Sequence, residues 1–340
     1  MRNIIATWIC IDDKTNGTHF PSAKGNSADL SVQQVYWRCV CSFFFCARYY
    51  NPEAKLVLFS NQGSLPLIDQ VSVGELLQKL NVHFYITPFE YVTPAGYYGE
   101  WRNQFYEFSI FKFITRHPDF NEKDNFLLLD SDCIIKDDLS QLFRSVKEQK
   151  CITYKIDYEV QKKINGNSRA DMKGIFEELL PAKLDHFPDY HGGEFFAATI
   201  KTVALLVEDF YKVWEQLLRR HSKGLQKLNE EAHVLSYLFY KNGFEGGQAN
   251  AFVKRLWTDP TTFRNVELQD ASLLIWHLPA EKRKGFNRFF SWLQSINFDF
   301  HFINSGTFQR RLQKTFLVPV IPVEHMPYYA AKRLVKKILS

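Results

Sequence analysis

The 340-residue sequence has no apolar run that approaches the 18 or more residues of a membrane-spanning helix. Residues 4–11 (IIATWICI) are short and typical of a strand, so we expect no signal peptide. Internal repeats, low-complexity tracts and Gly/Ser linkers are also missing. These absences predict a globular, cytoplasmic protein that is at most peripheral on the inner face of a membrane.

Cysteine is scarce, and its spacing excludes two kinds of site. None of the six residues forms a C-x-x-C pair, and the first and fifth lie inside apolar runs typical of strands. The pattern therefore predicts buried free thiols in a reducing compartment, and neither a disulfide framework nor a zinc site. The six are Cys10, Cys39, Cys41, Cys46, Cys133 and Cys151.

Net charge is small, at +5 from 42 basic and 37 acidic residues, but it is unevenly distributed. Residues 281–340 hold 11 basic and 3 acidic residues, which leaves 31 and 34 for residues 1–280. A near-neutral body with one basic end argues against nucleic-acid binding. The basic end suggests contact with a membrane leaflet or an acidic partner, and a solvated helix packed on the domain is the alternative.

Aromatic residues are abundant, since 31 Phe, 16 Tyr and 7 Trp make up 16% of the chain. Composition alone leaves open whether these rings build the core or face a flat apolar ligand. A hydrophobic share of 46% excludes a disordered chain. The length admits one large domain or two ordinary ones, and the pattern favours a domain over 1–280 with a basic C-terminal extension over 281–340.

Short apolar runs alternate with helical patterns over the first 150 residues. The runs predict four strands, at 4–11, 55–59, 82–86 and 126–129, and the intervening patterns predict helices at 30–50, 73–80 and 102–116. This order is typical of an α/β fold with a mostly parallel sheet and helices on both faces. Helices are also predicted at 199–221 and near 230–241, after a polar connection over 154–190. Ligands of such sheets bind outside the carboxyl ends of the strands.

Two carboxylates follow the fourth predicted strand, in the segment FLLLDSDCII (126–135). Asp130 and Asp132 are two residues apart, so both can face one side while Ser131 turns away. Carboxylates held together repel each other unless a cation lies between them, and Mg²⁺ or Mn²⁺ suits these oxygen ligands. A calcium loop is excluded by Ile134 and Ile135, and Ile134 also argues against a haloacid dehalogenase-type phosphatase. An acidic turn that caps the strand is the structural alternative.

Three further segments carry candidate site residues. Gly192 and Gly193 allow a close approach of backbone to a ligand, with polar His191 and Glu194 on either side, although a tight turn would need the same glycines. Asn229 is a good N-cap, Gly243 a good C-cap, and Glu230 and Glu231 favour the start of a helix without any catalytic role. His277 ends an apolar run and is followed by the basic residues 282–284.

Three blocks of the sequence, 97–113, 189–200 and 229–241, resemble in order and spacing the nucleotide-sugar glycosyltransferases of the GT-A fold. In that fold a D-x-D motif follows the fourth strand of a Rossmann-like nucleotide-binding half. DYHGGEFFAATI (189–200) and NEEAHVLSYLFYK (229–241) are similar to the retaining galactosyl- and N-acetylgalactosaminyltransferases related to the blood-group A and B enzymes. Glu194 interrupts the Gly-Gly-aromatic run of that family, and Asn229 replaces a His.

The resemblance implies a donor that is a nucleotide diphosphate sugar, here a UDP-sugar, and a glycan or glycolipid acceptor. It implies Mn²⁺ or Mg²⁺ as cofactor on Asp130 and Asp132, with His277 as a third ligand. Glu231 would be the catalytic residue beside the reacting sugar carbon. The implied donor-binding residues are Thr7, Trp8, Asp12, Lys112 (with Arg102 as the reserve), Asp130, Ser131, Asp132 and Lys284. The implied acceptor-binding residues are His191, Gly192, Gly193, Glu194 and Trp101.

Several alternatives stay open at this stage. The sequence does not decide between a retaining and an inverting reaction. A nucleotidyltransferase shares the fold and the use of metal, and would release diphosphate. A catalytically inactive sugar-binding relative would use the aromatic surface without chemistry.

The resemblance also divides the aromatic residues. Phe43, Phe44, Phe45, Phe108, Phe111 and Phe113 lie on predicted helices and are expected in the core. The rings next to the donor and acceptor blocks are expected to stack on the apolar faces of sugars. These are Tyr97, Tyr98, Trp101, Phe195 and Phe196.

Overall fold

A computed structural model describes the chain except for residues 13, 15–16, 18, 21–24, 100–102, 104 and 340. Only the backbone is described for His19, Phe20, Phe302 and Leu339. Two residues singled out from the sequence, Trp101 and Arg102, therefore lie outside the described part.

A six-stranded sheet forms the centre of the molecule, in the order β10-β11-β8-β1-β4-β7. Strands β1, β4, β7 and β8 run parallel, β11 runs antiparallel to β8, and β10 antiparallel to β11. The six strands are β1 (Asn3–Ile9), β4 (Lys55–Ser60), β7 (Val82–Ile86), β8 (Asn125–Leu129), β10 (Cys151–Ile152) and β11 (Phe195–Thr199). The sheet is thus mostly parallel, as predicted.

A second, three-stranded sheet in the order β12-β15-β9 extends the region that follows β8. Its strands are β9 (Cys133–Ile135), β12 (Val253–Arg255) and β15 (Ile275–His277). The remaining strands form two-residue pairs: β2 (His19–Phe20), β3 (Gly25–Asn26), β5 (Leu67–Ile68), β6 (Val71–Ser72), β13 (Thr258–Asp259) and β14 (Phe263–Arg264).

The α-helices are α1 (Leu30–Tyr50), α2 (Val73–Lys79), α3 (Tyr106–Ile114), α4 (Ser140–Gln149), α5 (Arg169–Leu179), α6 (Ile200–Ser222), α7 (Glu231–Asn242), α8 (Gly285–Ser295), α9 (Ser305–Phe316) and α10 (Met326–Leu339). Five of the helices, α1, α2, α3, α6 and α7, lie close to the positions that the sequence predicts. Short 3₁₀ helices are Gln248–Ala251, Leu268–Ser272, Pro279–Glu281, Phe300–Phe302 and Val323–His325. Among the described residues, no helix is both long enough and apolar enough to cross a membrane.

Both faces of the central sheet are buried, which explains why its strands are uninterrupted apolar runs. Successive side chains of a strand point to opposite faces. In β8, Leu127 and Leu129 accordingly belong to one core cluster, with α1, α8 and α9, and Phe126 and Leu128 belong to the other, with α3, α6 and α7. The sheet therefore separates two hydrophobic cores and leaves its carboxyl edge for polar residues.

The expectation of buried free thiols is confirmed for all six cysteines. The ring prediction is confirmed for most of the helical phenylalanines, since Phe43, Phe44, Phe45, Phe108 and Phe111 are at most 1% exposed. Phe113 is half-buried and packs against the second core.

Helix α7 starts one residue later than its predicted cap. The N-cap is Glu230 rather than Asn229, whereas Gly243 ends the helix in the left-handed conformation as predicted. Asn229 is engaged elsewhere, because its Nδ2 donates to the carbonyl of Asn165 at 2.9 Å. This contact fixes the connection before α5 against the start of α7.

The division into 1–280 and 281–340 stays a prediction. Residues 281–340 contribute buried rings from α8 and α9 to the core that contains α1. These rings are Phe286, Phe289, Phe290, Phe308 and Phe316, each 0% exposed.

Candidate active site

A pocket of about 400 Å³ opens beyond the carboxyl ends of β1 and β8. Its walls come from the ends of these strands, from the segment before β11, from the start of α7 and from the three-stranded sheet. Among the predicted residues that the structure describes, those that line it are Trp8, Asp130, Ser131, Asp132, Gly193, Glu194, Glu231 and His277. The fold thus brings together residues that are up to 269 positions apart.

Asp130, Asp132 and His277 form a cluster that could hold a metal ion. Each offers one ligand atom, and these atoms lie within 4.8 Å of one another. His277 Nε2 is 3.2 Å from an oxygen of Asp132 and 3.9 Å from one of Asp130. Two carboxylates and an imidazole suit a divalent cation such as Mn²⁺, so the residues fit the predicted cofactor.

Sheet register explains why His277 reaches the two carboxylates. His277 is opposite Cys133, the residue that directly follows Asp132, in the antiparallel pair of β15 with β9. The next backbone N–H, that of Leu278, donates to the carbonyl of Asp132 at 3.0 Å. A turn at Asp130, whose carbonyl accepts from Cys133 N–H at 3.0 Å, holds both carboxylates at the strand end.

The electrostatics of the cluster follow from its burial and its charges. Burial and then Asp132 raise the pKa of Asp130 to about 6. Burial alone would also raise the pKa of Asp132, but Lys282 and His277 hold it well below its usual range. Burial would lower the pKa of His277, whereas Asp132 and Glu194 raise it to about 9. In the absence of a cation, His277 and Lys282 therefore supply the positive charge that the two carboxylates need.

Lys282, and not the predicted Lys284, is the lysine of this basic run that lines the pocket. Its Nζ is 2.8 Å from an oxygen of Asp132, and its side chain is 12% exposed at the pocket wall. Lys284 lies outside the pocket lining, and its Nζ donates to Tyr328 Oη at 3.3 Å. The 3₁₀ turn Pro279–Glu281 directs the first lysine of the basic run inward.

Glu230 and Glu231 both line the pocket but have different surroundings. Glu230 accepts hydrogen bonds from Tyr190 Oη at 2.8 Å and from Asn165 Nδ2, so it is held to the neighbouring segments. Glu231 has one carboxyl oxygen, Oε2, that is buried without a hydrogen-bond partner. Burial and then Glu230 raise the pKa of Glu231 well above its ordinary value. Of the two acids, Glu231 is the one with an oxygen left for a substrate.

Gly193 allows Glu231 to occupy this position. A Cβ atom at residue 193 would lie 2.5 Å from Glu231 Oε1 and 3.2 Å from its carboxyl carbon. A side chain there would therefore displace the carboxyl group. The Gly-Gly pattern noted in the sequence thus has a steric reason at Gly193.

Glu107 is a pocket residue that the sequence reasoning missed. It lies in the first turn of α3, is 2% exposed, and has Oε2 buried without a hydrogen-bond partner. Burial, and then the nearby Glu231, raise its pKa well above the ordinary value. The available signal was an acidic residue within an apolar helix that precedes the D-x-D strand. The prediction instead chose Lys112, a basic residue of the same helix, for donor binding.

Several predicted residues lie away from the pocket lining. Lys112, in the last turn of α3, pairs with Glu90. Thr7 is 0% exposed within β1. His191 is 0% exposed and packs edge-on against Phe239, and burial lowers its pKa to about 4. At Gly192 the space next to the backbone is filled by Glu194 and Ile156.

Asp12 lies behind the pocket wall and holds residues that line it. Its Oδ2 accepts from Ser27 Oγ at 2.5 Å and from Asn103 Nδ2 at 3.4 Å, and its carbonyl accepts from Gln33 Nε2 at 3.2 Å. All three donors line the pocket. Asp12 therefore organises the wall next to β1.

The rings expected at a glycan site are mostly in the cores, which corrects that prediction. Phe195 and Phe196 are 1% exposed because β11 is covered on both faces, and Tyr97 is 3% exposed in the second core. Tyr98 is half-buried beside Gly166. Within the described part of the chain, the aromatic residues that line the pocket are instead Trp8, Tyr36, Tyr190 and Trp257.

Comparison with solved structures finds glycosyltransferases. An active-site mutant of LgtC is similar at a TM-score of 0.50 and 12% identity, over 86% of this chain and 95% of that chain. The galactosyltransferase LgtC with donor and acceptor sugar analogues has a TM-score of 0.49 and 12% identity, over 95% and 99%. The apo form of the bifunctional glycosyltransferase WbbM has a TM-score of 0.47 and 11% identity, over 81% and 45%. No protein-family model and no curated protein sequence matches the chain.

At 12% identity, the similarity to LgtC concerns the fold. It confirms the predicted α/β architecture of GT-A type, with a central, mostly parallel sheet flanked by helices. The closer relation to the blood-group A and B enzymes is not shown by these structures.

Proposed function

We propose that the chain is a metal-dependent glycosyltransferase that moves a sugar from a nucleotide diphosphate sugar, here a UDP-sugar, to a glycan or lipid-linked acceptor. The observation that carries the proposal is the convergence of Asp130, Asp132 and His277 with Glu231 in one pocket at the carboxyl edge of the sheet. An acidic turn that merely caps β8 would require neither a histidine from β15 nor an acid from α7.

The diphosphate end of the donor belongs at the carboxylate cluster. Asp130, Asp132 and His277 would hold Mn²⁺ or Mg²⁺, which supplies Lewis-acid stabilisation of the charge on a leaving diphosphate. Lys282 adds a fixed positive charge at the same place, 2.8 Å from Asp132. A charge that is already oriented before the reaction stabilises the leaving group without reorganisation.

The sugar end of the donor belongs near Glu231 and Glu107. In the transfer, the bond between the anomeric carbon and the diphosphate oxygen breaks, and a bond from an acceptor hydroxyl oxygen to that carbon forms. In a retaining reaction the Glu231 carboxylate stabilises or transiently bonds the anomeric carbon, and the leaving diphosphate takes the hydroxyl proton. In an inverting reaction Glu231 takes that proton as a base. We favour retention, on the resemblance of residues 229–241.

The acceptor would enter at the rim formed by Trp257 and the segment around Gly193. Trp257 is 37% exposed and lies next to Phe263, whose ring centroid is 6.4 Å away. Rings exposed at a pocket rim can stack on the apolar face of a sugar. Trp257 therefore takes the role for which Phe195 and Phe196 were considered.

A lipid-linked acceptor would agree with the C-terminal helix. In α10 the side chains of Leu334, Val335 and Ile338 are more than half exposed, beside Arg333 and Lys337. A short basic amphipathic helix suits the inner leaflet of a membrane. We therefore propose a cytoplasmic enzyme with a peripheral contact through this helix.

The proposal is tested by donor turnover with purified protein and a panel of nucleotide sugars. With Mn²⁺, the protein should release a nucleoside diphosphate from one donor, and this release should stop in chelator. Asp132→Ala should lower turnover by a factor of about a hundred or more, because it removes a metal ligand. Release of diphosphate instead would indicate the nucleotidyltransferase, and binding without turnover would indicate the inactive sugar-binding relative. Full activity in chelator would refute the metal assignment.

A further inference from the structure

Glu194 has a buried carboxylate, and both of its oxygens contact neighbouring side chains. Oε1 accepts from Arg255 Nε at 2.7 Å and lies 3.0 Å from His277 Nδ1, and Oε2 accepts from Arg255 Nη2 at 2.5 Å. The side chain is 1% exposed. Both oxygens of Glu194 are thus engaged by other side chains of the protein. The acceptor-binding role of Glu194 stays a prediction.

The backbone brings these three side chains together from β12, from β15 and from the segment before β11. Arg255 is opposite His277 in the parallel pair of β12 with β15, so both side chains point to the same face. Glu194 directly precedes β11, and its carbonyl accepts from the N–H of Asp130 at 3.2 Å. Glu194, which interrupts the Gly-Gly-aromatic run, thus lies between the turn at Asp130 and the side chain of His277.

We propose that Arg255 and Glu194 form a positioning relay that orients His277 as a metal ligand and sets the metal affinity of the site. A ring whose Nδ1–H is donated to Glu194 keeps its other nitrogen, Nε2, toward Asp132 and Asp130, at 3.2 and 3.9 Å. Carboxylates that accept from the second nitrogen of a metal-bound histidine fix its tautomer and its orientation. The inference rests on the proposed metal-dependent function and deepens it.

Arg255 is suited to hold Glu194 because its guanidinium binds both carboxylate oxygens at once. The two parallel hydrogen bonds prevent rotation of the carboxylate, so the oxygen that faces His277 keeps its direction. A lysine would contact the carboxylate at a single point and would not fix this angle. An ordinary buried ion pair would show the same two hydrogen bonds, but its loss would leave His277 unaffected.

The test measures Mn²⁺ affinity of the purified 340-residue chain by calorimetry, with no donor present. Glu194→Gln keeps the size of the side chain and removes its charge, and it should weaken Mn²⁺ binding by about 10- to 100-fold. Asp124→Asn is the matched control, because Asp124 is a buried carboxylate that bonds both Nε and Nη2 of Arg2 outside the site. The control should lower thermal stability but leave Mn²⁺ affinity unchanged.

A double-mutant cycle with His277→Asn separates a positioning role from a merely structural one. If Glu194 acts through His277, adding Glu194→Gln to His277→Asn should cause no further loss of affinity. The proposal would be overturned if the fold-losses in Mn²⁺ affinity of the two single variants multiplied in the double variant. It would also be overturned if Glu194→Gln alone bound Mn²⁺ as tightly as the parent. A parent protein that binds no divalent cation would instead refute the metal site of the proposed function.

A second variant keeps the test decisive if Glu194→Gln does not fold. Arg255→Lys retains the charge and loses the two-point contact, so it should weaken Mn²⁺ binding in the same direction but by less. Unchanged affinity in a folded Arg255→Lys variant, together with an unchanged His277 ring signal in ¹⁵N NMR, would contradict the proposal.

Discussion

Single residues in the pocket divide into charges that are already paired and carboxyl oxygens that are not. Glu194 and Asp132 have cationic neighbours, Arg255 and Lys282 respectively. Glu107 and Glu231 each keep one buried oxygen without a hydrogen-bond partner. Buried polar atoms are normally hydrogen-bonded, so these two oxygens are places where the hydroxyl groups of a donor sugar would donate.

The two lysines after His277 give a prediction at this scale. Lys282→Gln should lower kcat/KM for the donor by about a hundredfold, since it removes the fixed charge next to Asp132. Lys284→Gln is the matched variant two residues away, and its side chain contacts Tyr328 rather than the pocket. Steady-state kinetics with the donor found in the panel provide the measurement. A larger loss for Lys284→Gln would support the assignment from the sequence pattern instead.

The parts of the site that could be predicted are those encoded by neighbouring residues. Asp130 and Asp132 follow an apolar strand directly, so local pattern was enough to indicate them. Glu231 was singled out only through the resemblance of residues 229–241, because its local pattern is also that of an ordinary helix start. Arg255 could not be foreseen, because its role depends on the register of β12 against β15 and on a partner 61 residues away. The sequence also could not show that Lys282 rather than Lys284 lines the pocket, because this depends on the direction in which the turn Pro279–Glu281 leaves β15.

At the scale of elements, α7 packs against the segment that leads into β11. His191 precedes β11, and its ring packs against Phe239 of α7 at 5.2 Å. The backbone N–H of His191 donates to Ser236 Oγ, also of α7, at 2.9 Å. The sequence predicted a helix near 230–241, where α7 lies, but it predicted neither β11 nor the cover that α7 gives His191, because both depend on tertiary packing. The ring is therefore a buried packing residue.

Burial of His191 predicts an acid-sensitive fold. Its pKa of about 4 is below the ordinary 6.5, so the unfolded chain binds more protons between these values. The stabilising contribution is complete above about pH 6.5 and is lost as the pH falls toward 4. Between pH 7.5 and pH 5, this effect should lower the free energy of unfolding by about 2 kcal/mol. Urea unfolding at both pH values should show that the free energy of unfolding falls less on acidification in His191→Leu than in the parent.

A surface histidine serves as the control for this experiment. His301 is exposed, so His301→Leu should lose as much stability on acidification as the parent does. An identical loss in His191→Leu and the parent would contradict the assignment of the effect to His191. His233, also buried with a lowered pKa, is present in all three proteins and does not affect the comparison.

At the scale of the whole molecule, the core that contains α1, α8 and α9 includes residues from both the first and the last part of the chain. Phe45 of α1 packs against Phe298, Phe300 and Phe308, with ring centroids 4.9 to 6.1 Å apart. Residues that follow Val318 differ, since most of their side chains are half-buried or exposed. Their attachment includes an ion pair of Lys332 with Asp259 at 2.7 Å. The sequence showed the basic character of 281–340, but not that its first part completes a core begun by α1.

Two truncations test where the domain ends. Removal of 281–340 takes away five fully buried Phe rings, each contributing about 2 to 3 kcal/mol, which together rival the roughly 5 to 15 kcal/mol stability of a typical domain. The shortened chain should therefore fail to give a cooperative thermal transition. Removal of 323–340 takes away side chains that are mostly exposed, so the transition and donor turnover should be kept, and sedimentation with anionic vesicles should be lost. A cooperative transition in the 1–280 chain would establish 281–340 as a separate extension, and unchanged sedimentation of the 1–322 chain would remove the membrane role of α10.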